Sequence, residues 1–304
     1  MAIVSVENLK MSYDKGRVKA LKGVTFDVEE GEIFGLIGPD GAGKTSLFRI
    51  LTTLLLADSG KAVVDGMDVV NDYKKIRRHI GYMPGRFSLY QDLTVEENLS
   101  FFATVFNTTI EENYHLVEDI YRQIEPFKKR KAGKLSGGMK QKLALSCALI
   151  HAPHVLFLDE PTTGVDPVSR KEFWEMLQKL KKNFKLSIVV STPYMDEALQ
   201  CDRIALIQDG QFLTIDTPEN IIRAYTQTLW SLRSDKMHRL LTDLRSIDGV
   251  KTAFAFGENH HATIDTSVLT VDSLRNRLVG LEHRNIVIEV VEPTIEDCFM
   301  NLQK

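Results

Sequence analysis

With 304 residues, 43% of them hydrophobic and 26% charged, the chain falls in the range of soluble globular proteins and is long enough for one large domain and a smaller one. Its net charge of −3 gives no hint of a polyanion ligand, so nucleic acid is not expected as a direct partner. The opening stretch MAIVSVENLKMSY has no basic segment followed by an apolar one, and no apolar run approaches the roughly 18 residues of a membrane span, so a cytoplasmic chain is expected, with any membrane link made through a partner.

Short β-like runs alternate with longer helical patterns, the signature of an α/β fold with a parallel or mixed sheet covered by helices. Ile3 to Val6 and Val24 to Val28 read as early strands, and Ile33 to Ile37 is an apolar run that ends directly in a glycine-rich loop, GPDGAGKT from Gly38 to Thr45. Thr45 to Leu56 carries helix formers and recurrent leucines without proline, which predicts a helix of about three turns starting at that loop. From Leu93 to Ile124 the spacing is helical, with Thr94 as N-cap and Glu97 completing a capping box; with the segment that follows, it forms a helical insertion over about residues 86–150. Lys128 to Lys131 is a basic run read as a solvated connector. Ser136, Gly137 and Gly138 then precede a helical pattern from Lys140 to Ile150, and Val155 to Leu158 is a strand that ends in Asp159 and Glu160. From about Trp230 the order becomes β-α-β-β-α-β, a ferredoxin-like α+β unit over 226–304, closed by a helix started at Pro293 with Ile295, Phe299 and Leu302 on one face. Cys147, Cys201 and Cys298 are widely spaced and form no CxxC pair, so reduced, packed thiols are expected.

The chemistry is carried by two loops and a strand end. Gly38, Gly41 and Gly43 permit a backbone that a Cβ would block, so that the loop of Gly38, Pro39, Asp40, Gly41, Ala42 and Gly43, continued through Ser46, turns its N–H groups, all but that of Pro39, which has none, onto phosphate at the positive end of a helix. Lys44 reaches the β and γ phosphates and the Thr45 hydroxyl ligates magnesium. Asp159, at a strand's carboxyl end, holds the same magnesium through water, and Glu160 follows where a base polarising water is needed. The Ser136 hydroxyl and the two glycines after it open a second helix N-terminus, hence a second phosphate-facing surface.

In that arrangement, GPDGAGKT, LSGGMKQ from Leu135 to Gln141 and VLFLDE from Val155 to Glu160, the chain resembles the nucleotide-binding subunit of an ATP-binding cassette (ABC) transporter over about residues 1–225. The resemblance implies a P-loop NTPase cassette with a mixed-sheet core and a helical subdomain, an ATPase with ATP and Mg2+ as ligands, and a head-to-tail dimer in which Ser136, Gly137 and Gly138 face the γ-phosphate held by the opposite subunit. It makes Tyr13 the adenine-stacking aromatic and Asp166, in GVDP, the D-loop contact to the opposite site. It implies membrane permease subunits as partners, with the segment after Gly85, including an exposed Phe87 and Leu89, receiving them, and a location on the cytoplasmic face of the membrane. The C-terminal unit resembles accessory domains of drug-type exporters.

Two positions depart from the family's pattern. The residue after Met83 and Pro84, a glutamine in the family, is Gly85, with Gln91 too far along to replace it; the residue after Ser191 and Thr192, the family's switch histidine, is Pro193, which offers no donor. Loss of one such contact costs about two to three orders of magnitude in rate. The expectation is a site that binds ATP and hydrolyses it poorly, with the intact signature completing the site of a paralogous ATPase in a heterodimer; a self-sufficient homodimer and a non-transport regulatory ATPase are the alternatives.

Overall fold

The computed structural model describes residues 2–303, and the alternation of strands and helices resolves into two units that separate at Pro218 and Glu219. In the first unit, β1 (Ala2–Tyr13) and β2 (Val18–Glu29) form a long antiparallel pair. Both are far longer than the short apolar runs suggest, because a register shift between Val6 and Leu9, with Asn8 at φ 46°, interrupts the alternation that marks a strand in sequence. β3 (Ile33–Ile37) leads into α1 (Lys44–Leu51), and β4 (Ser59–Val64) with β5 (Met67–Asp68) completes a four-stranded antiparallel sheet in the order β2-β1-β4-β5. The predicted helix from Thr45 to Leu56 stops at Leu51: Thr53 takes φ 63°, and Arg77 binds its hydroxyl at 2.8 Å and its carbonyl at 2.9 Å, so the turn is fixed by a residue outside the segment.

α2 (Tyr73–His79) precedes β6 (Ile80–Met83), and the helical insertion consists of α3 (Val95–Val105), α4 (Ile110–Tyr121) and α5 (Gly137–Leu149). The helical spacing read as continuous to Ile124 breaks at Asn107, φ 56°, and restarts under a second capping box, Thr109 with Glu112. β7 (Val155–Asp159), α6 (Pro167–Phe184), β8 (Ser187–Thr192), β9 (Arg203–Gln208) and β10 (Gln211–Asp216) finish the unit. The central sheet runs β10-β9-β3-β8-β7-β6, parallel except for β10. Every residue of β3, β7 and β8 is buried, as expected for parallel strands covered on both faces. Because these strands run the same way, their carboxyl ends lie side by side and place four loops together, those after Ile37, Met83, Asp159 and Thr192.

The second unit begins with α7 (Pro218–Arg223), whose Ile221 carbonyl accepts the Cys298 thiol at 3.6 Å; that tie takes the helix with the second unit, so the separation falls before residue 225. β11 (Thr228–Arg233), α8 (Met237–Ser246), β12 (Val250–Phe256), β13 (Asn259–Ile264), α9 (Val271–Gly280) and β14 (Val287–Val290) form an antiparallel sheet in the order β12-β13-β11-β14, the ferredoxin-like arrangement, on a core that includes Trp230, Leu240, Leu244, Leu274 and Leu278. α10 (Ile295–Leu302) is started by a capping box of Thr294 and Asp297 and not by Pro293, and buries Ile295, Cys298 and Phe299 while Leu302 stays exposed.

Asn98 ties α3 to the loop ahead of it and was silent in the sequence. Fully buried, it accepts the Tyr90 N–H at 3.0 Å and donates to the carbonyls of Tyr90 at 3.0 Å and Thr94 at 2.9 Å. Asn98→Ala leaves those groups unpaired and should lower stability by about 2 kcal/mol, read as an earlier urea midpoint with an unchanged slope.

Candidate functional site

The loop from Gly38 to Ser46 wraps the end of β3, and its glycines are required by space as well as by φ. A Cβ on Gly38 would lie 2.1 Å from the Ile207 carbonyl oxygen, and one on Gly43, at φ 106°, would lie 2.3 Å from that of Ala20. Gly41, at φ 80°, faces open space; Pro39 and Asp40 are exposed at the crest and Ala42 is buried beneath. The Lys44 side chain is 3% exposed and its ammonium donates to the Gly38 carbonyl at 2.7 Å and the Pro39 carbonyl at 3.0 Å, 3.2 Å from Glu160 Oε1. A buried cation held against its own loop is free to exchange these partners for a phosphate anion. The Tyr13 hydroxyl lies 3.0 Å from Ser46 Oγ, which brings the end of β1 to the start of α1 with the Tyr13 ring partly open to solvent.

Asp159 is the hub of the site. Its Oδ1 accepts Ser191 Oγ at 2.6 Å and Thr45 Oγ1 at 3.3 Å, so the hydroxyl and carboxylate expected to share magnesium already converge, although they are far apart in sequence. Hard oxygen donors of this kind suit Mg2+. Glu160 sits beside it in the left-handed region, φ 51°, with its N–H on the Ser191 carbonyl and hydroxyl, a strained backbone that aims the carboxylate at Lys44. Burial, with the Asp159 charge beside it, pushes the Tyr82 phenol up to about 12, so that neighbour stays neutral.

Both departing positions lie in this cluster. A Cβ on Gly85 would meet the Asp159 carbonyl oxygen at 3.0 Å and Glu160 Cβ at 3.8 Å. Gln91 is turned to the helical insertion, its carbonyl accepting the Gly133 N–H at 2.9 Å. Pro193 directly follows Thr192, whose carbonyl accepts the Gly38 N–H at 3.3 Å. Downstream of Pro193 the loop is fixed by Glu197, 3% exposed, which takes hydrogen bonds from Thr192 Oγ1 at 2.6 Å, Thr162 Oγ1 at 3.1 Å and Arg170 Nε at 3.1 Å, with the Arg170 guanidinium 4.2 Å above the Tyr194 ring.

Ser136 is the N-cap of α5, its Oγ accepting the Met139 N–H at 3.4 Å, and Ser136 and Gly137 are exposed. Gly137 packs against Gly164 of the GVDP segment and Gly138 against Ser169 of α6, where a Cβ on Gly138 would come within 2.7 Å of Ser169 Oγ. Asp166 caps α6 through the Ser169 N–H at 3.0 Å, a bond that holds its carboxyl below the usual range. Among the described residues no hydrogen bond or ion pair joins Ser136, Gly137, Gly138 or Asp166 to the Gly38–Ser46 loop; they form a separate exposed surface of the same unit. Leu89, expected to be exposed, is buried at 8%; Phe87 is half-buried under the Lys140 ammonium at 5.4 Å, and the exposed rings nearby are Tyr90 and Phe101. Sequence reasoning missed Ser191, Glu197 and Arg170, which are joined to Asp159, to Thr162 and to each other across 27 or more residues of chain.

Comparison with known proteins shows what the chain is similar to. The profile of the ABC transporter family matches residues 21–163. The probable multidrug ABC transporter ATP-binding protein YbhF of Escherichia coli (strain K12) is 42% identical over 221 residues, 71% of this chain, although the chain spans 38% of the length of that relative. The linearmycin resistance ATP-binding protein LnrL of Bacillus subtilis (strain 168) is 30% identical over 314 residues, 99% of this chain and 98% of its own length. Among solved structures, cbiO1 from Clostridium perfringens, part of the ABC transporter complex cbiONQ, superposes with a TM-score of 0.65 at 28% identity, covering 73% of this chain and 94% of that one.

Gly43→Ala tests the cradle. The added methyl group collides with the Ala20 carbonyl and opposes the left-handed φ, so the rise in melting temperature produced by ATP with Mg2+ should be lost in the variant while it persists in the Gly41→Ala protein at a reduced level.

Proposed function

The chain belongs to the ABC transporter family, and from that premise we propose that it is an ATP-binding, ATP-hydrolysing subunit that drives a separate membrane permease from the cytoplasmic face, in an exporter of drug-like compounds. The class of transporter rests on the multidrug and resistance names of YbhF and LnrL. Among the described residues no helix is long and apolar enough to cross a membrane, which agrees with a permease on other chains.

Within the subunit, the loop N–H groups and Lys44 bind the phosphates, Thr45 and Asp159 hold magnesium, the latter through water, and Tyr13 lies at the mouth where a base can stack. Magnesium supplies neutralisation of the phosphate charge when bound. Glu160 accepts the proton of the attacking water as the terminal phosphate is released. Ser136 and Gly137, exposed at a helix N-terminus, with the half-buried Gly138 after them, suit phosphate held by a second subunit in a head-to-tail dimer, with Asp166 nearby.

The observation that carries the finer reading is the pairing of Gly85 and Pro193 around Asp159 and Glu160. Gly85, beside Asp159, and Pro193, next to Thr192, have no side-chain donor, while Lys44, Thr45, Asp159 and Glu160 converge. Since phosphoryl transfer depends on positioning and charge stabilisation, binding survives and turnover falls. This site then acts as an ATP-held clamp, and the Ser136 surface completes the competent site of a paralogous ATPase.

The permease contact is assigned to a cavity of about 340 Å3 between the central sheet and the helical insertion, whose lining includes Leu54, Phe87, Phe102, Phe106 and Cys147. It is contiguous with Gly85, so a helix seated there is mechanically linked to the nucleotide site.

In the complex with its paralogue, Ser136→Arg should reduce ATP turnover by about two to three orders of magnitude, while Glu160→Gln changes it less than twofold; equal losses from both changes contradict the clamp. A Phe87→Ala subunit should bind ATP as before and co-purify poorly with its permease, and undiminished association would remove Phe87 from the docking surface.

A further inference from the structure

Three residues with metal-binding side chains meet on the first unit, away from the nucleotide. Asp65, in the turn between β4 and β5, presents Oδ2 to His79 Nδ1 at 2.6 Å and to His154 Nδ1 at 2.9 Å, and ligand atoms from all three residues lie within 4.8 Å of one another. The rings of His79 and His154 meet edge to face at 4.8 Å between centroids. We propose that Asp65, His79 and His154 form a binding site for a borderline divalent transition-metal ion of the zinc type, with solvent in the fourth position.

The donor set is the first argument. Two imidazole nitrogens and one carboxylate oxygen are the ligands that zinc selects, and three protein ligands with an open position are a recurring zinc geometry. Tetrahedral bonds of about 2 Å place ligand atoms roughly 3.3 Å apart, so the carboxylate need withdraw from the two rings by only a few tenths of an ångström.

Preorganisation is the second. Asp65 holds a left-handed φ of 52° with its N–H on the Ile3 carbonyl at 2.7 Å. The His154 N–H donates to the His79 carbonyl at 2.7 Å, next to the Ile80–Val155 pairing of β6 with β7. The three ligands are therefore fixed by the backbone of three elements before any ion arrives.

Access and protons are the third. The side chains of His79 and His154 are 41% and 57% exposed, and among the described residues neither Nε2 has a protein hydrogen-bond partner. On binding, the metal takes the Nδ1 lone pair of each ring, and a proton carried on Nδ1 passes through solvent to Nε2 or to bulk water, so charge and protons balance without a further reactant. The cluster stands at the start of β6 and β7, whose far ends lead to Gly85 and Asp159; four residues of β6 at about 3.3 Å each put it roughly 13 Å away from the nucleotide. It is a second site, and its occupancy does not depend on the nucleotide.

Zn2+ titrated into untagged, chelator-treated full-length protein without nucleotide, followed by calorimetry and by Tm, is the test, with Co2+ absorption as the coordination signature. One Zn2+ per chain, a higher Tm and a visible Co2+ band are expected, with affinity lowered at least about tenfold in His154→Ala and in Asp65→Asn. Because His154 is exposed, its variant should fold; Asp65→Asn, which keeps a hydrogen-bonding carbonyl, is the second arm. No uptake by the wild-type protein, or uptake with unchanged affinity in both variants, would show that the trio is a hydrogen-bonded clip alone.

Discussion

The parallel register of four strands is the constraint on which everything else in the first unit rests. Ile37 aligns with Thr192, Asp159 with Ser191, and Met83 with Leu158, so the loops that follow β3, β8, β7 and β6 emerge at one level. The Ser191 hydroxyl on Asp159 and the Gly38 N–H on the Thr192 carbonyl then lock neighbouring loops to each other. Lys44 and Thr45 from one segment and Asp159 and Glu160 from another lie together because of that alignment.

The same constraint makes the two departures informative. Gly85 and Pro193 stand just beyond the ends of β6 and β8, Gly85 against Asp159 and Pro193 next to Thr192, whose carbonyl accepts the Gly38 N–H. Pro193 falls just beyond the last paired residue of β8, where a missing N–H costs no ladder bond, and its loop is secured by the buried Glu197 with Arg170 and two threonines. Gly85 faces the Asp159 carbonyl closely enough that a larger residue must shift its neighbours. On the proposed reading, the scaffold for binding is separable from the groups for turnover.

Legibility in the sequence followed the range of the interactions. The Gly38–Thr45 loop, the Ser136 helix start and the Asp159–Glu160 strand end were readable because each is a local pattern dictated by phosphate geometry, and the β-α-β-β-α-β order of the second unit was readable from periodicity. Ser191, Glu197 and Asn98 were not: Ser191 and Glu197 are ordinary polar residues with partners from distant segments, Asp159 for the one and Thr162 and Arg170 for the other, and Asn98 bonds the loop of Tyr90 to Thr94, whose fold over the start of α3 no local pattern marks. Long strands β1 and β2 were underread because the shift at Asn8 breaks the alternation, α1 was overread because Arg77 ends it from outside, and Leu89 was misplaced because the burial of a loop apolar residue depends on the helix it meets. Asp65, His79 and His154 could not have been joined without the register of β6 on β7.

The central claim, a site that holds ATP but scarcely cleaves it, is tested most directly by measuring steady-state ATPase activity of the purified chain alone beside its thermal stabilisation by ATP with Mg2+. Since a ligand specific for the folded state stabilises it by about 2.7 kcal/mol at a hundred times its Kd, a clear rise in Tm is predicted together with turnover at least about a hundredfold below that of the complex with a paralogous ATPase. Turnover by the chain alone at the rate of that complex would contradict the account, and would show that Gly85 and Pro193 leave hydrolysis intact.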